Sequence, residues 1–325
     1  MIFPESPPPG VLAAYDLPGA VWTPLGSAGG FSGSMIWRGA TADGRAFCLK
    51  AHPPGRTSPE TYVHQWMSAV ALPFVPKIER TALGRTAVEH RGRVWELTQW
   101  MPGRADFHTA PTDARLSAAV VALAQLHTAW SADSRAPTVA AGVPAVDRRL
   151  AALTAWRTLI ASGWRPAFGP ADGRLRAPAE AAWNVLPAHV SRAIRDLEPW
   201  RPVAVRTHPC LCDVWHDHVL FEGDRVTGII DFAAAKRDHP AVDLARLLGS
   251  LIPDDPDRTA FALDVYQRIA PLSHPQLVAL LDRTGTVVAA THWLRAIYLD
   301  GRPDLDPTAV SRRLDAIVQR LVRWG

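Results

Sequence analysis

Lysine is nearly missing from this chain. Of 35 basic residues among 325, only Lys50, Lys77 and Lys236 are lysine, and arginine supplies the rest. A compact ammonium kept in an arginine-using chain marks a position to inspect, because the two cations differ in reach and geometry. Cysteine is scarce too: three residues, Cys48, Cys210 and Cys212, cannot build a disulfide framework. The Cys210-x-Cys212 pair has no second pair to complete a zinc site, so a reducing compartment is expected. No apolar run approaches the ~18–20 residues of a membrane span. The first twenty residues lack a basic segment followed by an apolar one, which predicts no secretory signal and a cytoplasmic location. Basic runs are absent although the net charge is +4, so neither a nucleic acid nor a membrane surface is expected as a partner. What is present is the balance of a globular protein, 48% hydrophobic and 20% charged.

The chain changes character once. Residues 21–103 read as short β-prone runs separated by turns, with Asp43-Gly44 as a hairpin signal. One helical stretch, residues 59–70, interrupts them, with Pro59 suited to a first helical turn. Two further strands follow, ending at Met101-Pro102-Gly103. From Asp113, a plausible N-cap, Ala/Leu-rich helical spacing takes over. It recurs over 145–165 and 178–199. Two β-prone runs around Glu222-Gly223-Asp224 interrupt it, and residues 240–325 are helical apart from loops at 253–256 and 301–307. The expectation is an α+β chain divided near Pro102-Gly103, with residues 1–103 rich in strand and 104–325 mainly helical.

The segment 211–232 carries the chemistry. Asp213 is followed five residues later by His218, then by an apolar run, a hairpin turn, a second apolar run and Ile230-Asp231-Phe232. Phosphoryl transfer needs a carboxylate at the acceptor hydroxyl and ligands for a divalent cation beside the nucleotide phosphates. A loop carboxylate and a second one at the end of a hairpin supply both. Upstream, Gly29, Gly30, Ser32 and Gly33 lie between two expected strands, where backbone amides can face phosphate oxygens. Lys50 ends the apolar run Phe47-Cys48-Leu49, 17 residues after Gly33.

In this order the motifs resemble those of the aminoglycoside phosphotransferase and choline kinase type of small-molecule kinase. That family carries a catalytic loop H-x-D-x-x-x-x-N, a strand–turn–strand, a metal-binding Asp and then P-x-x-D-L-A. Here Pro240-Ala241-Val242-Asp243-Leu244-Ala245 supplies the last of these. The resemblance implies a protein-kinase-like fold, with a small β-rich N-lobe and a mainly helical C-lobe. It implies Asp213 as catalytic residue, Asp231 and His218 as metal ligands, and Asp243 as a buttress. Lys50 and the glycine loop would hold phosphates, and residues 96–101, through Glu96 and Thr98, would form the hinge at the adenine. The co-substrate would be ATP or GTP with Mg²⁺, Mn²⁺ being the alternative because His218 offers nitrogen. The second substrate would be a small-molecule hydroxyl compound.

Two positions depart from the family. Leu211 stands where the family has histidine, and His218 where it has the metal-binding asparagine. They keep open a rival reading, a degenerate kinase or nucleotide-sensing module. A further rival, a metal-dependent hydrolase built on His216-x-His218, lacks a third histidine in clear context. The helix partner of Lys50 also stays open among Glu60, His64 and Gln65. Between residues 104 and 200 there are eight acidic residues against eleven arginines, which argues against a polycationic acceptor.

Overall fold

The computed structural model describes residues 4–26, 33–59, 62–133, 138–302 and 305–324. The chain packs as two compact units. The first combines residues 1–137 with 213–236, and the second combines 138–212 with 237–325. The change from strand to helix near Pro102-Gly103 therefore falls inside the first unit, and the hairpin that follows Asp213 belongs to that unit as well.

The first unit is built on a five-stranded antiparallel sheet in the order β1-β2-β3-β5-β4. Its strands are β1 (Val21–Gly26), β2 (Met35–Ala40), β3 (Ala46–Ala51), β4 (Ala87–His90) and β5 (Arg93–Gln99). The β2–β3 turn holds Asp43-Gly44, with Gly44 at φ +86°, as the sequence predicts. Arg91 and Gly92, both at positive φ, make the tight β4–β5 turn. Side chains alternate across a strand, so β3 sends Phe47 and Leu49 to one face and Cys48 and Lys50 to the other. The first face packs with Trp37, Trp95 and Leu97 and with Val11 and Tyr15 around α1 (Pro9–Ala14). Trp37 and Trp95 stack with centroids 5.4 Å apart. That core leaves Lys50 on the opposite face.

The helix expected over 59–70 is shorter: α2 spans Val63–Ser68. Tyr62, at φ −150°, lies outside the helical range, and Pro73 a few residues on opposes continuation. α3 (Asp113–Ala132) is capped by Thr112 rather than Asp113. The Thr112 hydroxyl accepts from the Arg115 N–H at 3.2 Å. Asp113 instead lies in the first turn, where its charge complements the helix dipole.

The hairpin of the first unit, β8 (Val219–Glu222) and β9 (Arg225–Ile229), turns through Gly223 at φ +58°. The segment that follows β5 pairs with it. Arg104 and Phe221 exchange both backbone hydrogen bonds, at 3.0 and 2.9 Å, and the Thr227 hydroxyl donates to Pro102 O at 2.7 Å. Gly103 sits in this crossing at φ +95°. A Cβ there would lie 2.3 Å from Thr227 Oγ1 and 2.8 Å from Phe221 O.

In the second unit, a three-stranded sheet runs β10 (Lys236–Asp238), β7 (Val205–Cys210), β6 (Val139–Ala141). Its helices are α4 (Pro144–Ala161), α5 (Arg176–Leu197), α6 (Ala241–Leu251), α7 (Pro256–Gln267), α8 (Gln276–Tyr298) and α9 (Pro307–Arg323). α8 packs on α4, α5, α6 and α9. On α9 the buried stripe is Val310, Leu314, Ile317 and Leu321, the 4-3-4 spacing of one helix face. Each such side chain contributes about 1.5–3 kcal/mol relative to exposure. All three cysteines carry free thiols. Among the described residues no helix is long and apolar enough to cross a membrane.

Gly103→Ala combines left-handed strain with a steric clash. It is expected to cost about 2–4 kcal/mol in chemical denaturation, whereas Gly223→Ala, which meets nothing within 4 Å, should lose only the strain component.

Candidate active site

Lys50 and Asp231 are 181 residues apart in sequence, and their side chains meet at 2.6 Å. Lys50 comes from the cleft face of β3. Asp231 follows β9 in a left-handed conformation at φ +60°, where its carboxylate also accepts from the Ala233 N–H at 3.4 Å. Aspartate tolerates that backbone region better than most residues, since its short polar side chain bonds locally. Lys50 is buried while the Asp231 side chain is 38% exposed. Burial favours a neutral Lys50, but the charges of Asp231 and Glu96 prevail and raise its pKa. Burial likewise disfavours ionised Asp231, yet Lys50 holds that carboxyl below its usual value. Both are ions at neutral pH.

These two residues line a cleft of the first unit together with Glu96, Thr98 and His218. Its apolar wall includes Ile36, Met67, Met101, Leu220 and Ile230. An apolar slot with a few convergent polar groups is the usual form of a small-molecule site. Gly33, at φ +72°, and the buried Ser34 stand before β2, with Ser34 on the cleft wall. Gly29, Gly30, Ser32 and Glu60 lie outside the described residues.

Glu96 differs from its expected place. It pairs in register with Lys50 on one side and Ala87 on the other, so its backbone belongs to the sheet and not to a hinge. Its carboxylate contributes instead. His64 Nε2 lies 2.8 Å from Oε2 and His52 Nε2 3.2 Å from Oε1. Burial works against the ionised form, but the two histidines and the charge of Lys50 hold the carboxyl well below its ordinary range. His64, whose Nδ1 meets Thr86 Oγ1 at 2.8 Å, is thus the residue through which α2 reaches the lysine's neighbourhood. Sequence spacing cannot distinguish His64 from its helical neighbours; the cross-strand position of Glu96 does.

His218 also differs from the expectation of a metal ligand. Its Nδ1 lies 2.8 Å from Asp213 O, and Trp215 Nε1 donates to its Nε2 at 2.8 Å. One partner only accepts and the other only donates, so the tautomer is fixed with the proton on Nδ1. The Nε2 lone pair that a metal would need is already engaged. Burial lowers the pKa of His218 and keeps the ring neutral. Among the described residues, His216 and His218 gain no third donor at coordinating distance, which removes support from the hydrolase rival. Asp213 is half-buried, and the His218 ring is bonded to its backbone carbonyl.

Within the second unit, Asp243 is fully buried and takes the backbone N–H groups of Leu211 and Cys212 at 2.7 and 2.6 Å. This is the expected buttress, and it fixes the backbone just before Asp213. Cys212, at φ +63°, sits in a strained turn there. The missing family histidine is replaced by a buried leucine, and the Asp243 carboxylate holds that stretch of backbone.

A homoserine kinase of Afipia carboxidovorans is 29% identical over 39% of this chain and 40% of its own length. Another, from Nitrobacter winogradskyi, is 30% identical over 63% of this chain and 57% of its own. Across the curated relatives it matches, the aligned part spans from 27% to 57% of their length. A spectinomycin phosphotransferase, solved with ADP and spectinomycin, superposes with a TM-score of 0.66 at 8% identity, over 89% of this chain and 88% of the other. At that identity the likeness is one of fold, and it identifies the α+β fold as protein-kinase-like. The profile of the Phosphotransferase enzyme family matches residues 23–264, most of the chain including every described residue of the cleft, and the protein belongs to that family.

Proposed function

We propose that this chain transfers the γ-phosphate of ATP or GTP to a hydroxyl group of a small molecule. The observation that carries the reading is the Lys50–Asp231 pair at 2.6 Å on a cleft with an apolar slot. Lys50, with Gly33, Ser34 and the loop residues Gly29, Gly30 and Ser32, would hold the phosphates. Thr98 and Met101 line the slot for the base. Residues 1–103 and 104–325 are kept as the nucleotide-binding and acceptor lobes of this proposal.

Asp231 fits a divalent cation. Oδ1 is taken by Lys50, while Oδ2 stays 4.0 Å from His218 Nε2, and the side chain is partly open. A bound Mg²⁺ or Mn²⁺ would neutralise phosphate charge there. As arranged, His218 does not fit as a ligand, because both ring nitrogens are used. Its part is to hold the carbonyl of Asp213, whose carboxylate would orient or deprotonate the acceptor hydroxyl. The acceptor named for the curated relatives, homoserine, is the first to test. The arginine surplus over 104–200 points away from polycationic antibiotics.

A second reading, a nucleotide-binding module without transfer, is favoured by the occupied Nε2 of His218. Two substitutions separate the readings. Asp213→Asn should lower kcat by about 10²–10⁴-fold with nucleotide affinity within twofold of wild type; unchanged turnover would remove Asp213 from its role. Calorimetric titration of ATP and GTP with Mg²⁺ or Mn²⁺ should show metal-dependent binding that Asp231→Asn abolishes. Tight nucleotide binding with no turnover of any hydroxyl acceptor would establish the second reading.

Glu96 gives a pH test of the cleft. Its folded pKa lies well below the ordinary 4.5, so its stabilisation is complete above that value and vanishes as pH falls through the folded one. Glu96→Gln should therefore lower the thermal midpoint at neutral pH. The gap to wild type should close on acidification below about pH 4.5.

A further inference from the structure

Lys50 leaves the sheet beside a second carboxylate. β3 and β5 pair antiparallel with Lys50 directly opposite Glu96. Residues paired in this way point to the same face, with Cβ atoms about 4.5–5.5 Å apart. Both side chains line the cleft of the first unit. Lys50 is 8% exposed and the Glu96 side chain 14%. An ammonium and a carboxylate are therefore enclosed side by side, although the bond that Lys50 makes at 2.6 Å goes to Asp231.

Glu96 is held at both oxygens. His64 Nε2, from α2, lies 2.8 Å from Oε2, and His52 Nε2, just past β3, lies 3.2 Å from Oε1. An ionised carboxylate only accepts hydrogen bonds, so His64 presents Nε2–H to it. The other side of that ring is fixed by Thr86, whose Oγ1 is 2.8 Å from Nδ1. His52 is fixed through its backbone: its N–H donates to Val94 O at 2.8 Å, and its carbonyl accepts from Arg93 at 3.0 Å. Both histidines are buried. α2 itself carries no acidic residue, and its Gln65 is exposed.

The two carboxylates around Lys50 differ in what else they can meet. Asp231 is partly open and has an edge to offer a cation. Glu96 presents each oxygen to an imidazole, and its charge helps to keep the enclosed ammonium protonated. A tie between α2 and the sheet would explain the His64 bond alone. It would not explain a carboxylate placed directly opposite the ammonium, nor a second imidazole at its other oxygen.

We propose that Glu96 is the positioning residue of Lys50, and that α2 acts on the lysine through the His64–Glu96 hydrogen bond rather than through a carboxylate of its own. Glu96 holds the ammonium toward the phosphate chain when a cation draws on Asp231. The proposal rests on reading Lys50 as the residue that holds the nucleotide phosphates.

The test is calorimetric titration of the full chain with ATP and GTP, each with Mg²⁺ or Mn²⁺, and with the nucleoside of whichever base wild type takes. Only the triphosphate reaches Lys50, so a positioning role separates the two ligands, whereas damage to the sheet weakens both alike. Glu96→Gln should weaken the triphosphate by about tenfold or more and leave the nucleoside within about twofold. His64→Ala should show part of the same selective loss, and His64→Gln, which keeps an N–H at the position of Nε2, should recover some of it. Unchanged triphosphate affinity in Glu96→Gln, or equal losses for triphosphate and nucleoside, would overturn the assignment. Should Glu96→Gln fail to fold, His64→Ala decides by the same comparison. Wild type separates this proposal from the reading beneath it. If wild type binds nucleotide and no selective loss follows, Glu96 loses its role and the kinase reading stands. If wild type binds neither triphosphate with either metal, both are overturned.

Discussion

The contact between Lys50 and Asp231 sets the terms for the rest of the cleft. A buried ammonium is unfavourable without a partner, and the partner here is a carboxylate that keeps one edge open. The pair is held by backbone on both sides. β3 is locked between β2 and β5, which leaves Lys50 little freedom at its base. Asp231 is held in a left-handed turn and caps the short helical turn after it. One charge is thus enclosed and the other accessible within the same cleft.

The segment after β5 and the hairpin carry this geometry from β5 to Asp231. Gly103 allows the chain to cross Phe221 closely enough for Arg104 to bond it in both directions. From there β8 and β9 lead to Ile230, whose N–H donates to His218 O at 2.9 Å. His218 in turn bonds the Asp213 carbonyl. Asp213 and Asp231 are thus tied through one short run of backbone. The imidazole does structural work at a position where the family keeps a metal ligand.

The second unit solves its electrostatics in two ways. Asp243 is buried and satisfied by two backbone N–H groups, a compensated charge. Arg320 and Asp282 instead form a direct ion pair, their side chains meeting at 2.5 Å.

The order of elements was legible from residues alone, because strand alternation, Asp-Gly and Gly-rich turns and helical spacing are local properties. So was the family, through the types and spacings of Asp213, Asp231, Asp243 and Lys50, and of these the structure brings Lys50 and Asp231 together. Helix ends were less so: the cap of α3 moved by one residue and α2 shortened, because caps depend on single dihedral angles. Partnerships were not legible at all. Which helix residue approaches Lys50, that Glu96 offers its carboxylate and not its backbone, and that Trp215 occupies the lone pair of His218 all follow from contacts between distant segments. No spacing encodes them, because a hydrogen bond is decided within a few tenths of an ångström and only the packed chain sets that distance.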